Sequence, residues 1–303
     1  MSFVLPDPFP PPWASEWEED AEWGLAATLN LNGVKQTFRW IQPGTFLMGS
    51  PEDEPERIAE RENQHEVTLT RGYWLADTAC TQALWQAVMG DNPSHFKGDR
   101  ANPVEQVSWD DVQTFLDRLS ELVPGLAAGL PTEAQWENAC RAGTTTPFSF
   151  GKNITPAQVS YHGKRPYADG KKGEYRARTV PVKSLPPNPW GLYEMHGNVF
   201  EWCADLYGDN PEGPQVDPPG PPEGVFRVLR GGSWNGYGRF CRAAYRAGGE
   251  PGYRHFTIGF RLAPGQRPGP AEQEAAQRAG QAAGAPGGRG GAEPRSKKVN
   301  KKP

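Results

Sequence analysis

The chain has 303 residues, with 32 basic and 36 acidic side chains and a formal net charge of −4. A chain this close to neutrality has no broad electrostatic grip on nucleic acid or an anionic membrane, so specific nucleic-acid binding is not expected. No apolar run approaches the roughly 18–20 residues of a bilayer-spanning helix, and Met1-Ser2-Phe3-Val4-Leu5-Pro6-Asp7 has neither the basic nor the apolar region of a secretory signal.

Cys80, Cys140, Cys203 and Cys241 lie far apart and form no C-x-x-C pair. That spacing argues against a zinc ribbon or a disulfide framework and fits a reducing cytoplasm. Glycine (36) and proline (32) make up over a fifth of the chain, yet there are 11 tryptophans. Tryptophans in that number imply a real core, so the core is expected to be loop-rich.

Residues 1–20 open with Pro6, Pro8, Pro10, Pro11 and Pro12 and close on an acidic run, Glu16 to Asp20. They read as an extended lead-in. Ala26–Leu31 and Val34–Trp40 flank Asn32-Gly33, the pair favoured in a two-residue hairpin turn. Gly44–Gly49 is expected as a short buried strand, Glu52–Glu66 as a solvated acidic loop, and the alternation from His65 to Thr70 as another strand. Thr81–Met89 reads as a helix capped by Thr81 and stopped by Gly90. Ser108–Leu122 reads as a second helix: Asp111 follows Ser108 at capping-box spacing, and Val112, Phe115, Leu116 and Leu119 make an apolar stripe. Thr132–Ala142 is the third, stopping at Gly143. Helices followed by short strands between Gly, Pro and Asn indicate an α+β domain over 21–263. Residues 264–303 contain no aromatic side chain and end in the basic run Lys297 to Lys302. That composition cannot offset its ordering entropy, and a disordered tail is expected.

Five motifs then occur in order: P-G-T-F-L-M-G-S from Pro43, L-P-T-E-A-Q-W-E from Leu130, N-P-W-G-L-Y-E-M-H-G-N-V-F-E-W from Asn188, R-G-G-S-W from Arg230 and I-G-F-R from Ile258. Together, over about 40–263, they resemble the formylglycine-generating-enzyme (sulfatase-modifying factor) domain family. The resemblance implies an elaborated C-type-lectin-like fold, α+β and loop-rich, with a twisted antiparallel sheet. It implies no single function. The family includes copper-dependent oxidases that turn a sulfatase cysteine into formylglycine, partners of iron sites in sulfur-inserting enzymes, and non-catalytic binding modules. Function has to be read from the site.

The oxidases hold Cu(I) between two thiolates five residues apart, since soft ligands suit that ion. Here the second position is Cys241, but the first is Gly236. No copper is therefore expected, and Cys241 reads as a small buried side chain. None of the five histidines forms an H-x-x-x-H pair, and no Ser-His-Asp order, Walker loop or G-x-G-x-x-G is present. His196 is expected to orient a loop, and Glu133 and Glu137, one helical turn apart, to be structural. The resemblance also implies a structural Ca²⁺ site: the side chains of Glu194 and Glu201 with the carbonyls of Gly197 and Val199. Hard oxygens of this kind suit the ion.

The segment from Ser233 to Arg261 resembles the variable region of diversity-generating retroelement proteins. In those, template Asn codons (AAC) are randomised within a fixed frame. The corresponding positions here are Asn235, Gly236, Tyr237, Phe240, Tyr245, Ala247, Gly249, Tyr253, His255, Phe256 and Thr257. Each is a residue that an NNC codon encodes. Tyr, His, Phe, Gly and Asn in such a mixture have a paratope composition, rigid aromatic anchors among adaptable neighbours. One or two of the six aromatic rings, Phe240 and Phe256 first, are expected in the core. The resemblance implies a non-catalytic binder, monomeric, that recognises a protein surface. The alternatives are a metal-dependent oxidoreductase of the same family and an interaction domain with a fixed surface.

Overall fold

The computed structural model describes residues 4–265. In chain order the elements are β1 (Glu16–Asp20), β2 (Gly24–Leu31), β3 (Val34–Ile41), β4 (Gly44–Met48), β5 (His65–Leu69), β6 (Tyr73–Ala76), α1 (Gln82–Met89), α2 (Trp109–Leu122), α3 (Glu133–Arg141), β7 (Phe200–Leu206), β8 (Gln215–Val216), β9 (Arg227–Arg230), β10 (Ala247–Gly249) and β11 (Ile258–Phe260). They form three sheets: antiparallel β1-β2-β3-β6, mixed β10-β9-β7-β11 and small β4-β5-β8. In the second, β11 runs parallel to β7.

The local signals explain these elements. Asn32 and Gly33 both take positive φ, 52° and 87°, as the tight turn between β2 and β3 requires. Ser108 accepts from the Asp111 N–H while the Asp111 carboxylate accepts from the Ser108 N–H, closing the capping box at the head of α2. Thr132 and Gln135 do the same for α3. The apolar stripe of α2 packs into the main core, where Phe115 stacks on Trp85 at 5.1 Å and meets the edge of Phe260. Trp136 and Cys203 belong to a second core, beneath α3.

Three expectations need correcting. The acidic run at 16–20 is extended but is also a paired strand, with Trp17 opposite Ala27, and Trp13 just before it is buried against Phe38 and Trp74. Gly44–Met48 is an edge strand with only Met48 fully buried; Leu47 is 44% exposed. The loop between β4 and β5 is not simply solvated, because Glu54 and Glu62 are buried within it. The expected tail lies, from residue 266, outside the described residues. No helix among the described residues is long and apolar enough to cross a membrane.

A candidate ligand-binding face

The residues from 233 to 257 run from the end of β9 through a 3₁₀ turn (Gly238–Cys241) and β10 to the start of β11. Their path is set by a bend at Gly231 and Gly232, with φ of 93° and 76°. A Cβ on Gly232 would stand 2.7 Å from the Phe240 carbonyl oxygen and 2.8 Å from Cys241 Sγ, so only glycine lets the returning chain close on the bend.

The fixed residues of this segment point inward, and each buried arginine meets a distant carboxylate. Arg242 Nη1 donates to Glu54 (2.6 Å) and to Glu62 (2.7 Å), and its Nη2 donates to Glu62 (2.8 Å). Arg246 grips Glu133 through two bonds of 2.6 and 2.7 Å. Arg230 pairs with Glu137, which also accepts from Arg141. Arg261 grips Glu201, whose Oε2 accepts in addition from the Trp136 indole at 2.7 Å. Burial alone would favour the neutral form of Glu133, yet the Arg246 and Arg230 charges hold its carboxyl below the ordinary value. Glu133 and Glu137 are thus structural.

Most of the candidate variable residues point outward, and three do not. Tyr237 and Tyr253 are exposed (41% and 49%), and Asn235, Phe240, Tyr245, Ala247, His255 and Phe256 are half-buried. Gly236, Gly249 and Thr257 are buried. None of the six aromatic rings is fully buried, Phe240 and Phe256 included. They join residues from elsewhere in the chain into one strip. Phe200 meets Tyr245, Tyr245 meets Phe240 (4.9 Å) and Phe240 stacks on Tyr237. Tyr237 meets His162, which stacks on Tyr175 at 3.9 Å, and Tyr175 stacks on Trp234. Trp234 leads through Phe256 to His255 (4.1 Å) and Tyr253. Burial pushes the His255 imidazole down from its ordinary value, favouring the neutral ring. His162, Tyr175, Phe200 and Phe96, which packs on Trp234 at 5.2 Å, were not legible as parts of this face. The Phe200 register beside Ile258 is the only trace of them that chain order could offer.

The remaining candidates sit elsewhere. All four cysteines are free and buried, and burial pushes the Cys241 thiol up to about 12, away from the thiolate that a soft metal needs. Gly236 supplies only backbone, its carbonyl accepting from the His162 N–H. His196 ties loops together as expected: Nε2 accepts from the Ser149 N–H at 3.0 Å and Nδ1 donates to the Cys241 carbonyl at 2.7 Å. Among the described residues no group of three His, Cys, Asp or Glu side chains could hold a metal ion. The side chains of the expected Ca²⁺ donor set, which counts carbonyls as well, are both buried. Glu194 Oε1 is buried without a hydrogen-bond partner while its Oε2 accepts from the Lys183 N–H at 3.3 Å, and burial pushes that carboxyl up to about 7. Glu201 is less free, being bonded to Arg261 and Trp136.

Known proteins resemble this arrangement. The model of the sulfatase-modifying factor enzyme 1-like domain matches residues 22–265. The formylglycine-generating enzyme of Streptomyces coelicolor is 35% identical over 191 residues, 60% of this chain and 58% of that protein. The serine/threonine-protein kinase pkn1 of Chlamydia pneumoniae is 35% identical over 175 residues, 55% of this chain but 24% of that protein. The chain thus spans about a quarter of one curated relative and just over half of the other. Among solved structures, Treponema denticola variable protein 1 superposes with a TM-score of 0.69 at 29% identity, covering 79% of this chain and 98% of that one.

Proposed function

The chain belongs to the sulfatase-modifying factor enzyme 1-like domain family, and from that premise we propose that it is a ligand-binding variable protein of a diversity-generating retroelement. Its fold is the α+β, C-type-lectin-like one of that family. On this reading the protein binds a protein ligand as a monomer, through Asn235–Thr257, without covalent chemistry. One observation carries it. Eight of the eleven NNC-type positions are exposed or half-buried on one aromatic face, while Cys241, Arg242 and Arg246 between them are buried. The likeness to variable protein 1 supports it. Gly236 in place of a copper ligand, and a Cys241 thiol held neutral, speak against the oxidase reading. The four buried free cysteines support the cytoplasm as its place.

The test lies in the gene. A near-repeat of the segment encoding 233–261, with AAC at the eleven positions, supports the reading; codons there that do not end in C, and no repeat, overturn it. At the protein level, Tyr237→Ala and Tyr253→Ala are each expected to weaken ligand binding by about 2 kcal/mol, roughly 30-fold, as aromatic anchors do. Both rings are largely outside the core, so melting temperatures are expected to change little. Calorimetry of binding beside a thermal melt separates the two.

Calcium belongs to the same proposal. The donors would be Glu194, the carbonyls of Gly197 and Val199, and Glu201, and the ion would hold this loop-rich segment together. Ca²⁺ is expected to raise the melting temperature over a chelator-treated sample, and Glu194→Gln to abolish the rise. An unchanged melting temperature on chelation removes the ion from the reading.

A further inference from the structure

We propose that the ligand docks an acidic protein surface against the part of the aromatic strip around Tyr237 and Tyr175, a reading that rests on the binding role above. The loop from His162 to Tyr175, which supplies two rings of the strip, is tied at its base by the Gly173 N–H donating to the Gly163 carbonyl at 2.8 Å. From 164 to 178 it carries Lys164, Arg165, Lys171, Lys172, Arg176 and Arg178 against only Asp169 and Glu174. All but Arg176 of these basic side chains are exposed, and Arg176 has already taken Glu174 at 3.3 Å. Arg165 lies over the Tyr237 ring at 5.5 Å, and Arg239 over Phe240 at 4.8 Å. On a chain of net charge −4 this is a concentrated run of positive charge, met at Ala168 by the exposed Glu56 carboxylate, which accepts from the Ala168 N–H at 2.7 Å.

The Tyr253 end of the strip differs. There Arg254 is neutralised by Asp111 through two bonds of 2.6 Å, and Asp110 and Glu250 are exposed beside Tyr253. A nucleic-acid backbone needs positive charge along its whole track. A face that is basic around Tyr237 only and aromatic throughout suits a protein patch whose carboxylates flank an apolar centre. The loop's cations then set orientation and association rate, while the rings supply the contact area.

Three synthetic peptides of about twelve residues test this. They share one frame of Tyr, Ile and Leu and carry Glu, Gln or Lys at the intervening positions. Titrated into the full chain by heteronuclear NMR at about 50 mM salt, the Glu peptide is expected to bind at least about fivefold more tightly than the Gln peptide, and the Lys peptide most weakly. Lys171→Glu with Lys172→Glu, both at an exposed loop, is expected to reverse the order, and about 300 mM salt to narrow it. Equal affinities, an order that the double substitution leaves intact, or no binding of the Glu peptide at millimolar concentration overturns the acidic partner. So does a thymidine oligonucleotide that binds more tightly than the Glu peptide and displaces it. Tyr237→Ala tells the two readings apart. If it weakens all three peptides equally and charge has no effect, the aromatic face stands and the acidic partner falls. If neither ring nor charge matters, the face itself falls.

Discussion

Replacing Arg242 by methionine is expected to destabilise the protein by about 3–5 kcal/mol, the usual cost of leaving buried carboxylates without their counter-ion. Methionine fills much of the space and keeps the site apolar, so the loss comes from charge. Arg242 is fully buried and is the common donor to Glu54 and Glu62. Even with the guanidinium in place, burial pushes the Glu54 carboxyl above its ordinary value. Without it, Glu54 and Glu62 must take up protons or carry the loop between β4 and β5 out to water. Urea unfolding at pH 7 measures the effect. Arg242→Met combined with Glu62→Gln is expected to recover part of the loss, because the double replacement removes a charge along with its partner. A loss below about 1 kcal/mol in the single variant would mean that the loop leaves the core without cost.

The second large effect concerns pH. Asp205 is buried at the head of α3, where Oδ2 accepts from the Glu133 N–H at 2.7 Å. Burial, and after it the Glu133 charge, push its carboxyl up to about 7. The folded protein therefore keeps this proton to about pH 7, whereas the unfolded chain gives it up near the ordinary value of 3.8. Over that window folding takes up a proton, so this group's contribution falls as pH rises and is at its most unfavourable above pH 7. Three units correspond to about 4 kcal/mol at most. Asparagine retains the acceptor and carries no charge. The stability of Asp205→Asn relative to the parent is expected to be flat below about pH 4, to climb between pH 4 and 7, and to level off above it. Urea titrations at pH 4, 6 and 8 give the three points, and a pH-independent difference would show that Asp205 is ionised throughout.

Much of this was legible because it is local. Ser108 with Asp111 announces a capping box three residues long, and Asn32-Gly33 announces its turn. Gly236 before Cys241 bears on copper from chain spacing alone. The buried acidic loop was not legible, because Glu62 and Arg242 lie 180 residues apart and no period connects them. A signal did exist: residues 230–261 hold six arginines and one acid, Glu250. Buried arginines in a segment so poor in acids require carboxylates from elsewhere. The aromatic strip was legible only on its variable side. His162 and Tyr175 belong to a loop with no motif, and they join Tyr237 and Trp234 only when the chain closes.

The alternation along 233–257 has one more consequence. Anchoring and exposure fall to different side chains of a single stretch: Arg242, Cys241 and Arg246 face in, and Tyr237, Phe240 and Tyr245 face out. Surface substitutions away from packed or bonded features change stability little, so most letters of the outward set can be rewritten while the foldable core of the message is conserved. If the proposed binding role holds, one stable chassis carries many specificities, and a library varied at the outward positions alone is expected to yield mostly folded members.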